Sequence, residues 1–327
     1  MKIGVCAWSF SDAHRRAGVR PDPHQPEDLL QMALEYDLAA VEVAADSLRS
    51  FRASDATRFM AKAQENNVVI VADTGGCEAP DEIGDRVAEA VAVAAPFGVR
   101  TIRTTISRCL EGDRSRFGYR GWKDHLGALV EPLARAAKLA GESGISIGVE
   151  NHQDICSEEL VWLCEAVGSP HFGVVMDIGN AFAVGEHPAG FATRIMPFLK
   201  HVHLKDYVAH ASPSGWRLVR CALGEGVVDF VDLLPRITAG APGVLGCIEL
   251  GASNARHIRL LEGDWWATYD ERPFTSVVDA IRALHSAEPR RDLDWQTPHE
   301  RGEPMDVVAG YEMDQFRRSV DFLKEIA

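Results

Sequence analysis

Four side chains able to ligate a cation or carry a proton close four apolar runs: Glu150 after ISIGV, Asp177 after FGVVM, His203 after KHV and Glu249 after LGCI. Continuous apolar runs of this kind are strands of a parallel sheet whose two faces are covered by helices. A charged group that ends such a run costs several kcal/mol if it stays buried alone. Any one of them reads equally well as a helix cap or as half of an ion pair. Four in consecutive strand–helix units point instead to a shared partner, and three carboxylates with one imidazole make a cage for a divalent cation. The expectation is a metal-dependent enzyme holding one ion, Mn²⁺ first, with Mg²⁺, Co²⁺ and Zn²⁺ also compatible with the set.

The elements that must position these residues alternate from end to end. Strands are expected at Lys2–Ala7, Ala40–Val43, Val68–Ala72, Thr101–Thr104, Ser146–Glu150, Phe172–Asp177, Val202–Lys205 and Gly246–Leu250. Helices are expected between them at Glu27–Tyr36, Ser54–Asn66, Asp81–Phe97, Lys123–Ser143, Ser157–Val167, Pro188–Met196 and Asp229–Thr238. Gly141 and Gly144 should end the fourth helix, and Gly168 with Pro170 the fifth. Successive ligand candidates are separated by about the 25–30 residues of one βα unit, until a longer interval before Glu249 that requires a long loop over 206–227. Eight such units predict a (β/α)₈ TIM barrel with the strand-end residues at its catalytic mouth. A doubly wound sheet would call for a glycine-rich loop after the first strand, where Trp8, Ser9 and Phe10 stand instead. Residues 1–287 are expected to form the barrel and 288–327 a C-terminal extension, polar at Glu288–Pro304 and ending in a helix near Met313–Ile326. A further helix is expected at Ser276–His285.

Composition narrows the function. The 327 residues are 46% hydrophobic and 25% charged, with a net charge of −14, which describes a soluble protein with a sizeable core. The acidic balance argues against a nucleic-acid partner, since a phosphate backbone is met by a basic face. No run approaches the ~20 apolar residues of a membrane span, and the opening MKIGVCAWSF reads as a strand rather than a signal peptide. Seven scattered cysteines without a C-x-x-C (Cys6, Cys77, Cys109, Cys156, Cys164, Cys221, Cys247) fit a reduced, cytoplasmic location.

The motifs IGVENH (147–152), VVMDIGN (174–180), HVHLKD (201–206) and CIELG (247–251) resemble the sugar phosphate isomerase/epimerase superfamily, the xylose-isomerase-like barrels that include tagatose and psicose 3-epimerases. The resemblance covers most of residues 1–250. It implies that Glu150, Asp177, His203 and Glu249 hold one divalent metal. It also implies that Glu150 and Glu249 are the acid/base pair on opposite faces of a sugar. The chemistry agrees: removing a proton α to a carbonyl requires the developing enediolate charge to be neutralised, and a carboxylate with a suitable pKa serves as base. Asn180 departs from relatives that place a histidine three residues after the metal aspartate, which puts one substrate contact in doubt.

His152 is a candidate second proton carrier, or a loop histidine bonded to backbone. His201 shares a face with His203 by strand alternation. Lys205 and Asp206 read as an ion pair, with Lys205 also a candidate at the site. Trp8 and Phe10 could stack on a sugar, Arg217 and Arg220 could grip hydroxyls or a phosphate, and Asn180 could touch substrate. The tandem Trp265 and Trp266, with Arg256, His257 and Arg259 nearby, reads as a lid or a partner patch. The leading function is a sugar isomerase or epimerase acting through an enediolate. The alternative is a lyase on the same platform, a dehydratase or a deglycosidase of oxidised C-glycosides with a small partner subunit. The assembly is accordingly expected to be a homo-oligomer, or a hetero-oligomer for the lyase. An endonuclease-type barrel is disfavoured by charge, and a non-catalytic sugar-binding barrel by the intact ligand set.

Overall fold

The computed structural model describes residues 1–76, 79–286 and 295–326. Eight parallel strands close a barrel. In chain order they are β1 (Lys2–Cys6), β2 (Ala40–Ala44), β3 (Val69–Gly76), β4 (Thr101–Thr105), β5 (Ser146–Glu150), β6 (Phe172–Asp177) and β7 (Leu199–Leu204). After an antiparallel pair, β8 (Tyr207–Ser212) and β9 (Gly215–Arg220), comes the eighth barrel strand, β10 (Leu245–Ile248). β10 lies between β7 and β1, so the order β1-β2-β3-β4-β5-β6-β7-β10 returns on itself. The expected (β/α)₈ barrel is the observed one. A short strand, β11 (Arg256–Ile258), pairs with β9 and completes a three-stranded sheet.

The strands form where the sequence is apolar because both faces are covered. The surrounding helices turn an apolar stripe inward: Leu29, Leu30, Phe59, Ile83, Val87, Leu129, Leu133, Leu160, Leu163, Phe191 and Phe230 are all buried. Their ends are marked chemically. Pro26, Pro80 and Pro188 stand in the first turn of their helices, where a missing N–H costs nothing. Gly168 stops Ser157–Val167 with φ 63°. Cys156 stands at the N-cap of that helix, and the Glu159 carboxylate reaches back to accept the Cys156 N–H at 3.0 Å.

Two differences from the sequence expectation bear on the site. The stretch expected as a loop over 206–227 is mostly the β8–β9 hairpin, turning at Pro213-Ser214. The terminal helix is longer than expected, Met305–Glu325, and packs on the barrel: Phe316 meets Phe10 and Tyr36 edge-on, and Phe322 meets Phe230. It thereby brings Glu312 to the mouth beside Ser11, whose N–H it accepts at 3.0 Å. The expected boundary at 287/288, most of the polar stretch before Trp295, and Cys77 lie outside the described residues. No helix among the described residues is long and apolar enough to cross a membrane.

Candidate metal centre

Glu150 ends β5, Asp177 ends β6, His203 lies near the end of β7 and Glu249 follows β10. The register sets Asp177 opposite His203, and His203 opposite Cys247. All four side chains are buried, and each offers a ligand atom within 4.8 Å of the others. His203 is presented edge-first. Its Nε2 stands 2.8 Å from Glu42 Oε2, so this nitrogen donates to the carboxylate. Its Nδ1 has no hydrogen-bond partner and faces Glu150 Oε1 at 3.6 Å and Glu249 Oε2 at 3.8 Å.

Negative charge is in excess around these groups. Five buried carboxylates (Glu42, Asp73, Glu150, Asp177, Glu249) share the buried cations Arg103 and Lys205. Lys205 Nζ lies 2.7 Å from Asp177 Oδ2 and 2.5 Å from Glu249 Oε2. Arg103 places Nε 2.5 Å from Glu150 Oε2 and also contacts Asp73. Burial raises the carboxyls of Asp177 and Glu249 above the usual range, with Lys205 pulling the other way. Burial also penalises Glu150, yet Arg103, His152 and His203 together outweigh it and hold the carboxyl well below that range. An excess of negative charge and an orphaned imidazole nitrogen turned toward it fit a divalent cation. The residues whose ligand atoms converge to hold it are Glu150, Asp177, His203 and Glu249.

Above the cluster opens a cavity of about 700 Å³, lined by Trp8, Arg103, His152 and Glu249 among others. Of the four ligand candidates, Glu249 reaches its wall. His152 stands there as a half-buried imidazole whose Nδ1 has no partner, and burial lowers its pKa to about 4, so it is neutral near pH 7. Trp8 is 41% exposed on the rim, edge-on to His24. Gly251 permits the tight approach of this wall, since a Cβ there would collide with the Trp8 carbonyl oxygen.

Other expectations are revised. Asn180 lies behind the ligands rather than on the cavity wall. Its N–H donates to Asp177 Oδ1 (3.1 Å), its Nδ2 is 3.4 Å from Glu150 Oε1, and its Oδ1 accepts from Gln153 and Tyr207. Lys205 does not pair with Asp206. Asp206 turns away and accepts the backbone N–H groups of Tyr207, Gly224, Gly226 and Val228, pinning the loop after the hairpin. Arg217 is outside the cavity, bound to Glu300 at 2.5 Å and stacked over Trp295. Arg220 ties the hairpin to Gln315 and Glu312 of the terminal helix. His201 sits beside Glu42 at 3.0 Å. Trp265 and Trp266 form no lid: Trp265 is buried, stacks on Tyr269 and donates to the Glu111 carbonyl. Glu42, Asp73 and Arg103 were not singled out from the sequence. Glu42 and Asp73 carry the same signal that marked the ligands, a charge inside an apolar run (AVEVA and VIVAD), whereas Arg103 stands in the threonine-rich TIRTT.

Comparison with known proteins follows the same lines. The sequence pattern that defines the xylose isomerase-like TIM barrel matches residues 30–284. The uncharacterized protein YihM of Escherichia coli (strain K12) is 26% identical over 217 residues, 65% of this chain and 62% of that protein, so less than two thirds of the relative is matched. Three solved structures share the fold. A D-tagatose 3-epimerase-like protein has 18% identity and a TM-score of 0.57 over 77% of this chain and 92% of its own. The probable 3-DHS dehydratase AsbF of Bacillus anthracis has 14% identity and a TM-score of 0.60 over 88% and 100%. A xylose isomerase-like TIM barrel protein from Mycobacterium smegmatis in complex with magnesium has 13% identity and a TM-score of 0.55 over 88% and 97%.

Proposed function

Because the chain belongs to the xylose isomerase-like TIM barrel family, we propose that it is a divalent-metal-dependent isomerase or epimerase of a keto- or aldo-sugar, working by proton abstraction α to a carbonyl. The observation that carries this reading is the convergence of Glu150, Asp177, His203 and Glu249 on one point beneath an open cavity. A cation held there supplies Lewis acidity toward the substrate carbonyl. Glu249 is the base. It reaches the cavity, and burial lifts its affinity for a proton toward the operating range, where a general base is most effective. Lys205, in contact with Glu249 and Asp177, fixes the orientation of both carboxylates. Asn151 and Asn180 anchor the end of β6 through the Asp177 backbone and carboxylate.

A second reading, elimination on the same platform, draws support from Arg103. With one oxygen of Glu150 held by that guanidinium, Glu150 is a fixed anion and a weak proton carrier, so the second proton transfer falls to His152, which is neutral near pH 7 and must first take up the proton it passes on. An epimerase requires that second group to return a proton to carbon; a lyase requires it to protonate a departing group, for which a small partner subunit would serve a bulky glycoside. The test is a panel of keto- and aldo-sugars and 3-keto-glycosides with Mn²⁺-loaded protein in D₂O. Deuterium entering the carbon next to the carbonyl supports the proposal, and turnover without such exchange contradicts it. With His152→Ala, exchange that continues while product formation stops assigns His152 to the later step. Equal loss of both places it at the first step.

A further inference from the structure

The charged residues of the cavity wall are almost completely paired. Asp12 meets Arg15 at 3.2 Å, Glu249 meets Lys205, Glu312 faces Arg220 at 3.6 Å, and Arg103 lies between Asp73 and Glu150. Arg256 is the exception. It lines the same cavity, yet among the described residues it has no acidic partner, and its Nε is buried without a hydrogen bond. The geometry of β11 explains its direction. Arg256 pairs across from Leu218 of β9, and strand alternation sends the next side chain, His257, to the opposite face against Ser212 and Ser214. Glu300, which accepts the N–H of Ala255, is already bound to Arg217. A guanidinium cannot shed its proton to escape this situation, and a partly buried charge without a counter-charge is destabilising. Its planar fork matches a carboxylate or a phosphate through two parallel hydrogen bonds.

We propose that Arg256 is a specificity-determining residue that binds an anionic group of the substrate, so that the substrate class is an acidic sugar derivative, a sugar carboxylate or a sugar phosphate. The inference takes from the proposed function only that the ligand is a sugar; the anion site itself rests on the unpaired guanidinium. A cavity of about 700 Å³ holds both a metal-facing carbonyl and a charged tail, being within the ~300–1,000 Å³ usual for small-molecule sites.

The experiment is calorimetric titration of the Mn²⁺-loaded protein with three forms of one ketose: D-fructose, D-fructuronate and D-fructose 6-phosphate. One of the anions should bind at least about tenfold more tightly than D-fructose, since a single charge-assisted contact is worth that much. Which anion gains identifies the group. Arg256→Gln should erase the advantage while leaving D-fructose binding as it was, and Arg256→Lys should keep part of it. Thermal unfolding of each variant confirms that the fold persists, and Arg256→Lys carries the test should Arg256→Gln be unstable. Equal binding of the three ligands, or an anion advantage that survives Arg256→Gln, overturns the inference. Deuterium exchange is scored separately. Loss of anion selectivity with exchange intact removes the role of Arg256 alone, whereas absent exchange with anion selectivity intact removes the proposed reaction alone.

Discussion

The Nε2 of His203 lies 2.8 Å from Oε2 of Glu42, which leaves Nδ1 turned toward Glu150 and Glu249. A carboxylate bound to the far nitrogen of a ligand imidazole fixes its tautomer and orientation and raises its basicity. Glu42 in turn is held ionised: burial works against its charge, but His203 and His201 together bring its pKa well below the usual range. Glu42→Gln keeps the shape and removes the charge. The affinity for Mn²⁺, followed by calorimetry, should fall by about 10–100-fold, the scale of such outer contacts. An unchanged affinity would reduce Glu42 to a packing residue.

Glu249→Gln separates chemistry from folding. The side chain follows β10, next to the cavity, and its contact with Lys205 is one of two that Lys205 makes. Turnover should drop by roughly 10² or more, the usual scale for a general base, while the unfolding midpoint moves little. Equal losses in both measurements would mark Glu249 as structural.

Asp154 gives the fold a pH signature of its own. Its carboxyl is buried, accepts from Ser107 on one oxygen and has no partner on the other, and burial pushes its pKa up to about 7. In the unfolded chain an aspartate titrates near ~3.9. Between these two values the folded state binds more protons than the unfolded state, so the contribution of Asp154 to stability declines as pH rises from about 4 to 7 and is level above. Asp154→Asn abolishes the titration. The difference in stability, variant minus wild type, should therefore grow in favour of the variant from pH 5 to pH 7.5 when unfolding is followed by heat or urea. A difference that shrinks across that window contradicts the assignment.

Much of the architecture was legible because one physical signal was repeated. Continuous apolar runs of strand length, each followed by a helix of amphipathic period, leave a closed parallel barrel as the economical solution, and all eight expected strands overlap observed ones. The same signal located the ligand candidates, since a charge at the end of a buried run stands out. Glu42, in the middle of AVEVA, is the same anomaly in the first half of the barrel and orients His203, whereas Arg103, which holds Glu150, stands among threonines in TIRTT and lacks that apolar setting. The β8–β9 hairpin was hidden by its mixed composition, although the Ser-Pro-Ser-Gly turn between Ala211 and Trp216 was present to mark it. Asn180, Arg217 and Trp265 show the opposite limit. Polar and aromatic side chains near a motif say nothing of their direction, and partners distant in sequence (Tyr207, Glu300 and the Glu111 carbonyl) turned each of them away from the cavity.

The central claim is that Glu150, Asp177, His203 and Glu249 hold one divalent cation, and Mn²⁺ binding followed by electron paramagnetic resonance tests it most directly. Metal-depleted protein should take up one Mn²⁺ per chain with micromolar or tighter affinity, the free-ion signal being suppressed to a sharp equivalence point. Asp177→Asn and His203→Gln, each verified as folded by circular dichroism, should lose that site. Wild-type protein that leaves the free-ion signal undiminished, or folded variants that bind Mn²⁺ as the wild type does, would contradict the account.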